Sequence, residues 1–290
     1  MNKIKTKVGR NTFMINGDSA EDDKKRETIK SILINEENKN KSDLHNYFLN
    51  NKNEAIFKHL PYFDIYERHF SKYRGKDINL LEIGVGYGGS LKMWKNYFDK
   101  LNPNAKVNIY GIDIKERCKK FEEDGIKIFI GSQSDREFLH ELKKEIPKLD
   151  ILIDDGGHIP EEQIITFEEM FECIKDGGLY FCEDVYTSYW GNMNNDFKNS
   201  FIEYTKKLID YLNANWTLEG DDLEANSFTE SAYSIHYYEG IVAIEKKLRD
   251  KRHIDICQQA SIGKLDKFWN EDKINYFQKM HRHCEWNEAI

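Results

Sequence analysis

Five apolar runs rich in β-branched residues alternate with helical patterns through the middle of this 290-residue chain. The runs are INLLEIGV (78–85), VNIYGIDI (107–114), IKIFIG (126–131), LDILIDD (149–155) and GGLYFCEDV (177–185). Continuous apolar runs bounded by turn signals are typical of strands buried on both faces, and the intervals between them leave room for crossover helices. The alternation therefore predicts an α/β fold built on a doubly wound, mostly parallel sheet.

The regions beside these strands indicate the rest of the organisation. SIHYYEGIVAIEKK (234–247) holds two short apolar runs that meet at a Glu-Gly pair, which predicts an antiparallel hairpin at the sheet edge. Aromatic and apolar residues recur at helical spacing over 59–73, so one helix face should lie against the next unit of the chain. We expect a polar, helical or flexible N-terminal arm (1–55), an α/β domain (56–247) and a helical C-terminal extension (248–290). The apolar stripe near Phe268 favours a homo-oligomer, although packing on the core explains it too.

Charge and composition exclude several kinds of partner. The chain has 43 Lys and Arg against 51 Asp and Glu, a formal net charge of −8, which leaves no basic footprint for nucleic acid. No window approaches the about 18 apolar residues of a membrane span, and the N-terminus lacks the apolar stretch of a signal peptide. The five cysteines are scattered without a CxxC pair, as expected for reduced thiols. We therefore expect a cytoplasmic protein.

A glycine-rich loop, EIGVGYGGS (82–90), follows the first predicted strand and precedes a helix. Glycine permits a tight turn and a close approach of the backbone to a ligand. Two interpretations remain open from the pattern alone, beside a purely structural bend. Glycines 84, 86 and 89 match the GxGxxG loop that holds a dinucleotide. Glycines 84, 86 and 88, with an acid at 82, match the E/D-x-G-x-G-x-G loop of class I methyltransferases, where the acid faces the amino-acid end of S-adenosylmethionine (SAM).

Further polar residues stand at the ends of the next strands. Asp113 ends the second strand, where a carboxylate can accept both ribose hydroxyls of NAD or SAM; a helix N-cap is the simpler alternative. The GSQSD segment (131–135) ends the third strand, where Gln133 or Asp135 could bond the adenine amine, although any loop is polar. The expected cofactor-binding residues are Glu82, Gly84, Gly86, Gly88, Asp113, Ser132, Gln133 and Asp154.

Acidic residues follow two neighbouring strands. The fourth strand ends in DDGGH (154–158) and the fifth in Glu183-Asp184. Ligands bind beyond the carboxyl ends of strands in such sheets, so these groups should share one crevice. Clustered carboxylates resist joint ionisation unless a hard cation with oxygen ligands, such as Mg2+, compensates them. Taken singly, each acid is explained as a helix cap or a solvated loop; together they predict a magnesium site.

A divalent ion and an imidazole at this edge suit the activation of an alcohol. Mg2+ chelated by two neighbouring substrate oxygens lowers the pKa of the hydroxyl. Imidazole ordinarily titrates near pH ~6.5, so His158 can accept the proton. The methyl carbon of SAM would then be attacked in line, and alignment would be the remaining task of the protein.

These residues resemble the Mg2+-dependent macrolide-sugar O-methyltransferases of the mycinamicin and macrocin type and the related cephalosporin-hydroxylase and rhamnosyl O-methyltransferase group. The resemblance covers residues 59–247 and rests most on DDGGH at 154–158 and EDVYTSYW at 183–190. It implies a Rossmann-like class I methyltransferase with Asp155, Glu183 and Asp184 as metal ligands and His158 as general base. Macrolide members usually have Ser where this chain has Gly157, and a different N-terminal region, so the match does not carry over the acceptor.

The implied reaction is methylation of one hydroxyl of a vicinal pair, on a sugar or nucleotide sugar of a bacterial polysaccharide or natural product, with SAM and Mg2+. Tyr186, Tyr189 and Trp190 follow the acids and are candidates for a substrate wall, since aromatic faces suit the apolar side of a sugar ring; core packing explains them equally. An NAD-dependent oxidoreductase, a catechol-type O-methyltransferase and a non-catalytic SAM-fold subunit remain alternatives.

Two other histidine groups are expected to stand outside this chemistry. His236 lies in a predicted strand and is interpreted as structural. The HRHC segment (281–284) contains possible ligands for a transition metal, but it lacks a second ligand pair at a suitable spacing.

Overall fold

The computed structural model describes residues 42–191, 193, 196–217 and 222–248, together with Lys24 and Glu27. Within these ranges, seven strands form one sheet with the order β3-β2-β1-β4-β5-β7-β6. The strands are β1 (Ile78–Ile83), β2 (Val107–Asp113), β3 (Ile126–Ile130), β4 (Leu149–Asp154), β5 (Ile174–Cys182), β6 (Ala232–Tyr238) and β7 (Ile241–Lys246).

The helices of the described chain flank this sheet. They are α1 (Asp43–Asn50), α2 (Tyr62–Phe70), α3 (Gly89–Asp99), α4 (Arg136–Glu145), α5 (Pro160–Met170), α6 (Phe201–Asn213) and α7 (Ser227–Ser231). Local sequence explains where several begin. The side chains of Ser42, Asp135 and Ser200 accept hydrogen bonds from the first turns of α1, α4 and α6. Proline at the first position of α5 has no amide hydrogen that would need a partner.

The sheet confirms the predicted doubly wound architecture. Strands β1 to β5 pair in parallel, and β7 pairs antiparallel with both β5 and β6. The predicted hairpin is therefore present, with its second strand inserted inside the sheet and β6 at the edge. Burial explains this order, because residues 241–244 of β7 are all buried whereas most of β6 is partly exposed.

Two apolar layers enclose the sheet. The layer under α1, α2 and α3 includes Phe63, Tyr66 and Phe70 of α2, which confirms the predicted packing of this helix. The opposite layer lies under α4 to α7. Leu44 and Phe48 of α1 are buried in the first layer, so part of the segment expected as a peripheral arm packs on the core. The rest of that arm, apart from Lys24 and Glu27, and residues 249–290 of the expected extension lie outside the described residues.

Two expectations drawn from the sequence, on membrane spans and on reduced thiols, can be compared with the described residues. Among the described helices, none has the length and apolar character needed to cross a bilayer. Cys118, Cys173 and Cys182 are buried free thiols, in agreement with the expected reduced state. The other two cysteines fall in the part of the chain that is not described.

Candidate active site

The glycine-rich loop turns at the end of β1 with three residues in the left-handed region. Gly84, Gly86 and Gly88 have φ of +95°, +56° and +77°. A Cβ on Gly84 would lie 2.0 Å from the carbonyl oxygen of Asp155, so only glycine fits where this loop crosses the end of β4. A Cβ on Gly86 would meet no atom of the described residues within 4 Å. The backbone of the loop at Gly86 therefore borders an open space.

The two carboxylates expected at the cofactor lie on either side of this loop. Glu82 is fully buried and accepts hydrogen bonds from Ser90 Oγ (2.7 Å) and Lys58 Nζ (3.1 Å). Asp113 accepts the Gly86 amide on Oδ2 at 3.0 Å and the Lys115 amide on Oδ1 at 2.9 Å. Both acids thus hold the loop and its surroundings in place, in addition to any contact that they make with a ligand.

Gln133 and Asp154 form a buried network behind the DDGGH segment. Gln133 Nε2 donates to Asp154 Oδ1 (3.0 Å) and Thr166 Oγ1 (3.1 Å), and its Oε1 accepts the Gly157 amide at 2.8 Å. Burial raises the pKa of Asp154 to about 6. The sequence suggested direct cofactor contacts for both residues, but such contacts would require these internal bonds to be exchanged. Ser132, the third expected contact at this end, bonds the Ser134 hydroxyl at 2.8 Å.

The structure brings Asp155, His158 and Asp184 together beyond the ends of β4 and β5. One ligand atom from each lies within 4.8 Å of the others. His158 Nε2 is 3.9 Å from Asp155 Oδ1 and 3.7 Å from Asp184 Oδ2. His158 and Asp184 are also the two non-glycine residues with positive φ in the described ranges, at +57° and +53°. Such conformations cost about 1–3 kcal/mol each and cluster at functional sites.

Lys58, which the sequence analysis missed, lies at the centre of the remaining acids. Its Nζ donates to Asp155 Oδ2 at 2.6 Å and to Glu82 Oε1 and both oxygens of Glu183 at 3.1 Å. Only 1% of its side chain is exposed. Burial alone would lower the pKa of Lys58, but the charges of Asp155, Glu183 and Glu82 outweigh it and hold that pKa well above its usual value. The lysine is therefore a fixed positive charge within the site.

Two tyrosines of α2, also missed, bond the acids after β5. Tyr66 donates to Glu183 Oε1 at 2.8 Å, and Tyr62, one turn earlier, donates to Asp184 Oδ1 at 2.7 Å. Burial, and then the neighbouring Asp155, raise the pKa of Glu183 well above its usual range. The helical face itself was visible in the sequence, but nothing in its pattern indicated that the hydroxyls would reach carboxylates more than 100 positions away.

The arrangement fits a divalent cation. Four carboxylates cluster here: Glu82, Asp155 and Glu183 accept hydrogen bonds from Lys58, and Asp184 accepts one from Tyr62. Lys58 is the one ammonium bonded to them in the described part of the chain, so the acids outnumber the bases. Oxygen ligands suit Mg2+. Nδ1 of His158 is buried and has no hydrogen-bond partner in the described part of the chain, so the histidine is not locked into a structural network on that side.

The three aromatic residues expected at the substrate lie beside Asp184. The Tyr186 hydroxyl is 3.0 Å from His59 Nε2, and its ring centroid is 5.3 Å from that of Trp190. Tyr189 and Trp190 are 63% and 45% exposed, so these two are surface residues rather than core residues. Tyr186 and Trp190 thus form a partly exposed aromatic wall next to Asp184, whereas the ring of Tyr189 stacks on that of Phe197 with centroids 5.1 Å apart.

Comparison with curated proteins finds several O-methyltransferases. Demethylmacrocin O-methyltransferase from Streptomyces fradiae is 32% identical over 218 residues, which cover 68% of this chain and 53% of the relative. Mycinamicin VI 2''-O-methyltransferase from Micromonospora griseorubida is 32% identical over 219 residues, with the same two coverages. An 8-demethyl-8-alpha-L-rhamnosyl tetracenomycin-C 2'-O-methyltransferase from Streptomyces olivaceus is 32% identical over 193 residues, 63% of this chain and 49% of the relative. The chain thus spans about half the length of these relatives.

Comparison with solved structures also finds methyltransferases. The MycE methyltransferase of the mycinamycin biosynthetic pathway, in complex with Mg and SAH, matches 86% of this chain and 66% of its own at 28% identity, with a TM-score of 0.63. A second MycE complex, with Mg, SAH and mycinamycin VI, matches 69% and 53% at 31% identity, with a TM-score of 0.58. These matches confirm the Rossmann-like class I methyltransferase fold. No protein-family profile matches the chain.

Proposed function

Homologues of this chain are O-methyltransferases of macrolide and tetracenomycin sugars, and from this premise we propose that it transfers a methyl group from SAM to a sugar hydroxyl with the help of Mg2+. The observation that carries the proposal is the convergence of Asp155, His158 and Asp184 at two neighbouring strand ends, directly beside the glycine-rich loop. A dinucleotide loop alone would not need this group of acids.

Asp155 and Asp184 would hold the metal, with Glu183 as the third ligand that the resemblance implies. The carboxylate of Glu183 bonds Lys58 and Tyr66, so its ligation would require it to exchange one of these partners. Bound SAM supplies an electrophilic methyl carbon, and Mg2+ supplies positive charge that lowers the pKa of a chelated hydroxyl. A non-catalytic subunit with this fold would have no need of such ligands.

His158 would remove the proton from the substrate hydroxyl at Nε2. This atom lies 3.9 Å from Asp155 Oδ1 and 3.7 Å from Asp184 Oδ2, beside the two carboxylates that would hold the metal. Lys58 would keep the remaining carboxylates neutralised and fixed. The hydroxyls of Tyr62 and Tyr66 would orient the acids after β5, so that α2 positions the site without touching the substrate.

The cofactor would lie along the glycine-rich loop. Glu82 would face its amino-acid end and Asp113 its ribose, while the open space beside Gly86 would admit the nucleoside without a side-chain clash. Ser132 and the Gln133 region would border the adenine. These roles follow the resemblance, and the loop conformation supports them.

The acceptor that we propose is a glycosylated small molecule. The named relatives act on natural products, and none of them is a polysaccharide enzyme. The partly exposed wall of Tyr186 and Trp190 supports an acceptor with an apolar ring face, and the exposed ring of Tyr189 is the third candidate contact. Nucleotide sugars and catechols remain alternative acceptors, since both offer neighbouring oxygens for a metal.

A direct assay separates these possibilities. The protein is incubated with SAM and Mg2+ against glycosylated macrolides, nucleotide sugars and catechols, and products are analysed for the mass gain of one methylation. We expect methylation of a glycosylated compound that is abolished by a chelator. Methylation of catechols alone would identify the catechol-type alternative. Tight binding of NAD rather than SAM, with no methylated product, would contradict the proposal and favour an oxidoreductase.

Asp184→Asn is expected to raise the Mg2+ concentration for half-maximal activity by about 10-fold or more, because one charged ligand becomes neutral. Asparagine tolerates the left-handed backbone of this position, so the fold should persist. Asp210→Asn, an exposed change on α6, is the matched control and should leave the requirement unchanged. Initial rates measured over a range of Mg2+ concentrations give the requirement of each variant. Saturation of Asp184→Asn at the wild-type concentration would count against Asp184 as a ligand.

Trp190→Ala is expected to raise the KM for the acceptor by about 3- to 10-fold with little change in kcat, since an aromatic contact is worth about 0.5–1.5 kcal/mol. Trp216, another exposed tryptophan at 58%, provides the control Trp216→Ala. Steady-state kinetics with varied acceptor at saturating SAM measure the effect. An equal KM for the acceptor in Trp190→Ala and Trp216→Ala would show that Trp190 does not contact the acceptor.

A further inference from the structure

A second group of metal-ligating side chains lies at the edge of the sheet, apart from the proposed reaction site. His69 comes from α2, His236 from β6 and Glu245 from β7, and one ligand atom of each lies within 4.8 Å of the others. His69 Nδ1 is 3.9 Å from Glu245 Oε1, and His236 Nε2 is 3.9 Å from Glu245 Oε2. The two imidazole centroids are 4.9 Å apart. Three separate elements thus direct potential ligands to one point.

The buried member of this group is oriented as a ligand would be. His69 Nε2 is 2.9 Å from the Tyr238 hydroxyl. With Nε2 as the donor, Nδ1 carries the lone pair and faces Glu245. Metal-ligating imidazoles are commonly held in this way through their other ring nitrogen.

We propose that His69, His236 and Glu245 form a second metal site, which takes a transition-metal dication of the Zn2+ type rather than Mg2+. Two imidazoles and one carboxylate are a typical set for Zn2+ with a fourth position left to water, whereas Mg2+ favours oxygen ligands. Ligand atoms around tetrahedral Zn2+ lie about 3.3 Å apart. One ligand atom from each residue lies within 4.8 Å of the others, so the three side chains would have to approach one another by up to about 1.5 Å to hold the ion.

Hydrogen bonds within the chain compete for the same atoms. Lys72 Nζ donates to Glu245 Oε1 at 3.1 Å, and Ser234 Oγ lies 2.9 Å from His236 Nε2 and 3.1 Å from Glu245 Oε2. The Lys72 side chain is 45% exposed and can turn into solvent. Removal of its positive charge should therefore tighten metal binding. A purely structural hydrogen-bond cluster would instead be weakened by this change.

The site would fasten α2 to the β6–β7 hairpin. Tyr62, Tyr66 and His69 follow one another along α2, and the two tyrosines bond Asp184 and Glu183. A metal at His69 would hold the helix that orients these acids, without taking part in the reaction. His69, His236 and Glu245 lie outside the proposed reaction site, so metal binding here does not depend on the proposed activity.

The test is Zn2+ binding to the full chain in saturating Mg2+, by isothermal titration calorimetry, for wild type, His236→Ala and Lys72→Met. His236 is partly exposed, so its loss should leave the chain folded. We expect wild type to bind one more equivalent of Zn2+ than His236→Ala, and Lys72→Met to bind that equivalent several-fold more tightly. The proposed magnesium site and the HRHC segment are present in all three proteins, so their contributions cancel.

A second variant separates ligation from folding. Tyr238→Phe keeps the ring but removes the hydroxyl that orients His69, and it should weaken the extra equivalent about 10-fold or more. Visible absorption of bound Co2+ provides an independent reading, with tetrahedral bands that are stronger in wild type than in His236→Ala by the contribution of one site. Equal stoichiometry and affinity for Zn2+ in wild type and His236→Ala would overturn the proposal.

Discussion

Replacement of His158 by alanine is expected to lower turnover by about 100-fold or more, within the usual range for loss of a general base, with the dissociation constant of SAM nearly unchanged. His158 Nε2 lies 3.9 Å from Asp155 Oδ1 and 3.7 Å from Asp184 Oδ2, so it is the imidazole nitrogen next to both proposed metal ligands that would take the proton. The glycine-rich loop belongs to the end of β1 and does not depend on this side chain. Single-turnover methyl transfer and calorimetric titration with SAM measure the two quantities separately.

Backbone strain needs its own control in this experiment. His158 has a φ of +57°, which alanine tolerates poorly and asparagine tolerates better. His158→Asn removes the base with less strain, so it should be as slow as His158→Ala. Near-normal turnover of His158→Asn would contradict the assignment of the base.

His59 offers a matched comparison because it carries the other imidazole near Asp184. Its Nε2 is 3.7 Å from Asp184 Oδ1 and is bonded to the Tyr186 hydroxyl. His59→Asn should therefore cost much less activity than His158→Asn. A larger loss in His59→Asn would move the general base to His59.

The strands and the acids at their ends were predictable because their signals are local. A buried strand requires a continuous apolar run, and the run LDILID is read directly from the sequence as β4. The parallel order then brings the residues after β4 and β5 to one edge, which accounts for the meeting of Asp155 with Asp184. No distant contact had to be known for that step.

Lys58 could not be predicted, because its environment is entirely non-local. It stands in the short segment FKHL, and its partners Asp155 and Glu183 lie 97 and 125 positions further along the chain. A lone lysine in such a segment is ordinarily solvated. The bonds of Glu183 to Lys58 and Tyr66 are non-local too, so the sequence could not reveal them. Its role as a metal ligand stays a prediction.

The N-terminal boundary illustrates a different limit. Leu44 and Phe48 are separated by one helical turn, yet the polar residues around them dominated the composition of the segment. Their burial against the first apolar layer depends on α2 and α3, which lie close to α1 in the fold. The composition of residues 1–55 therefore indicated a polar segment, but it did not reveal that the helix face with Leu44 and Phe48 packs on the core.

Lys58→Met is expected to lower the free energy of unfolding of the metal-free protein by about 3–5 kcal/mol, the usual cost of removing one partner of a buried ion pair. Methionine keeps much of the volume, so the effect is mainly electrostatic. Glu82 and Glu183 would remain buried, and Asp155 partly buried, without the ammonium that bonds all three. Urea unfolding in a chelator measures the difference, and Lys92→Met, which breaks partly exposed ion pairs with Glu54 and Glu123, should cost no more than about 1 kcal/mol.

The destabilisation of Lys58→Met should also depend on pH and on magnesium. Burial already raises the pKa of Asp155 and of Glu183, and loss of Lys58 raises both further. A carboxyl whose pKa is higher in the folded state binds more protons there, so stability increases as the pH falls through that raised pKa to the pKa of the unfolded state. The deficit should therefore shrink on acidification, and Mg2+ should restore more stability to Lys58→Met than to wild type because the same charge excess attracts it. A deficit that is independent of both pH and Mg2+ would contradict the view that Lys58 balances the charge of a metal site.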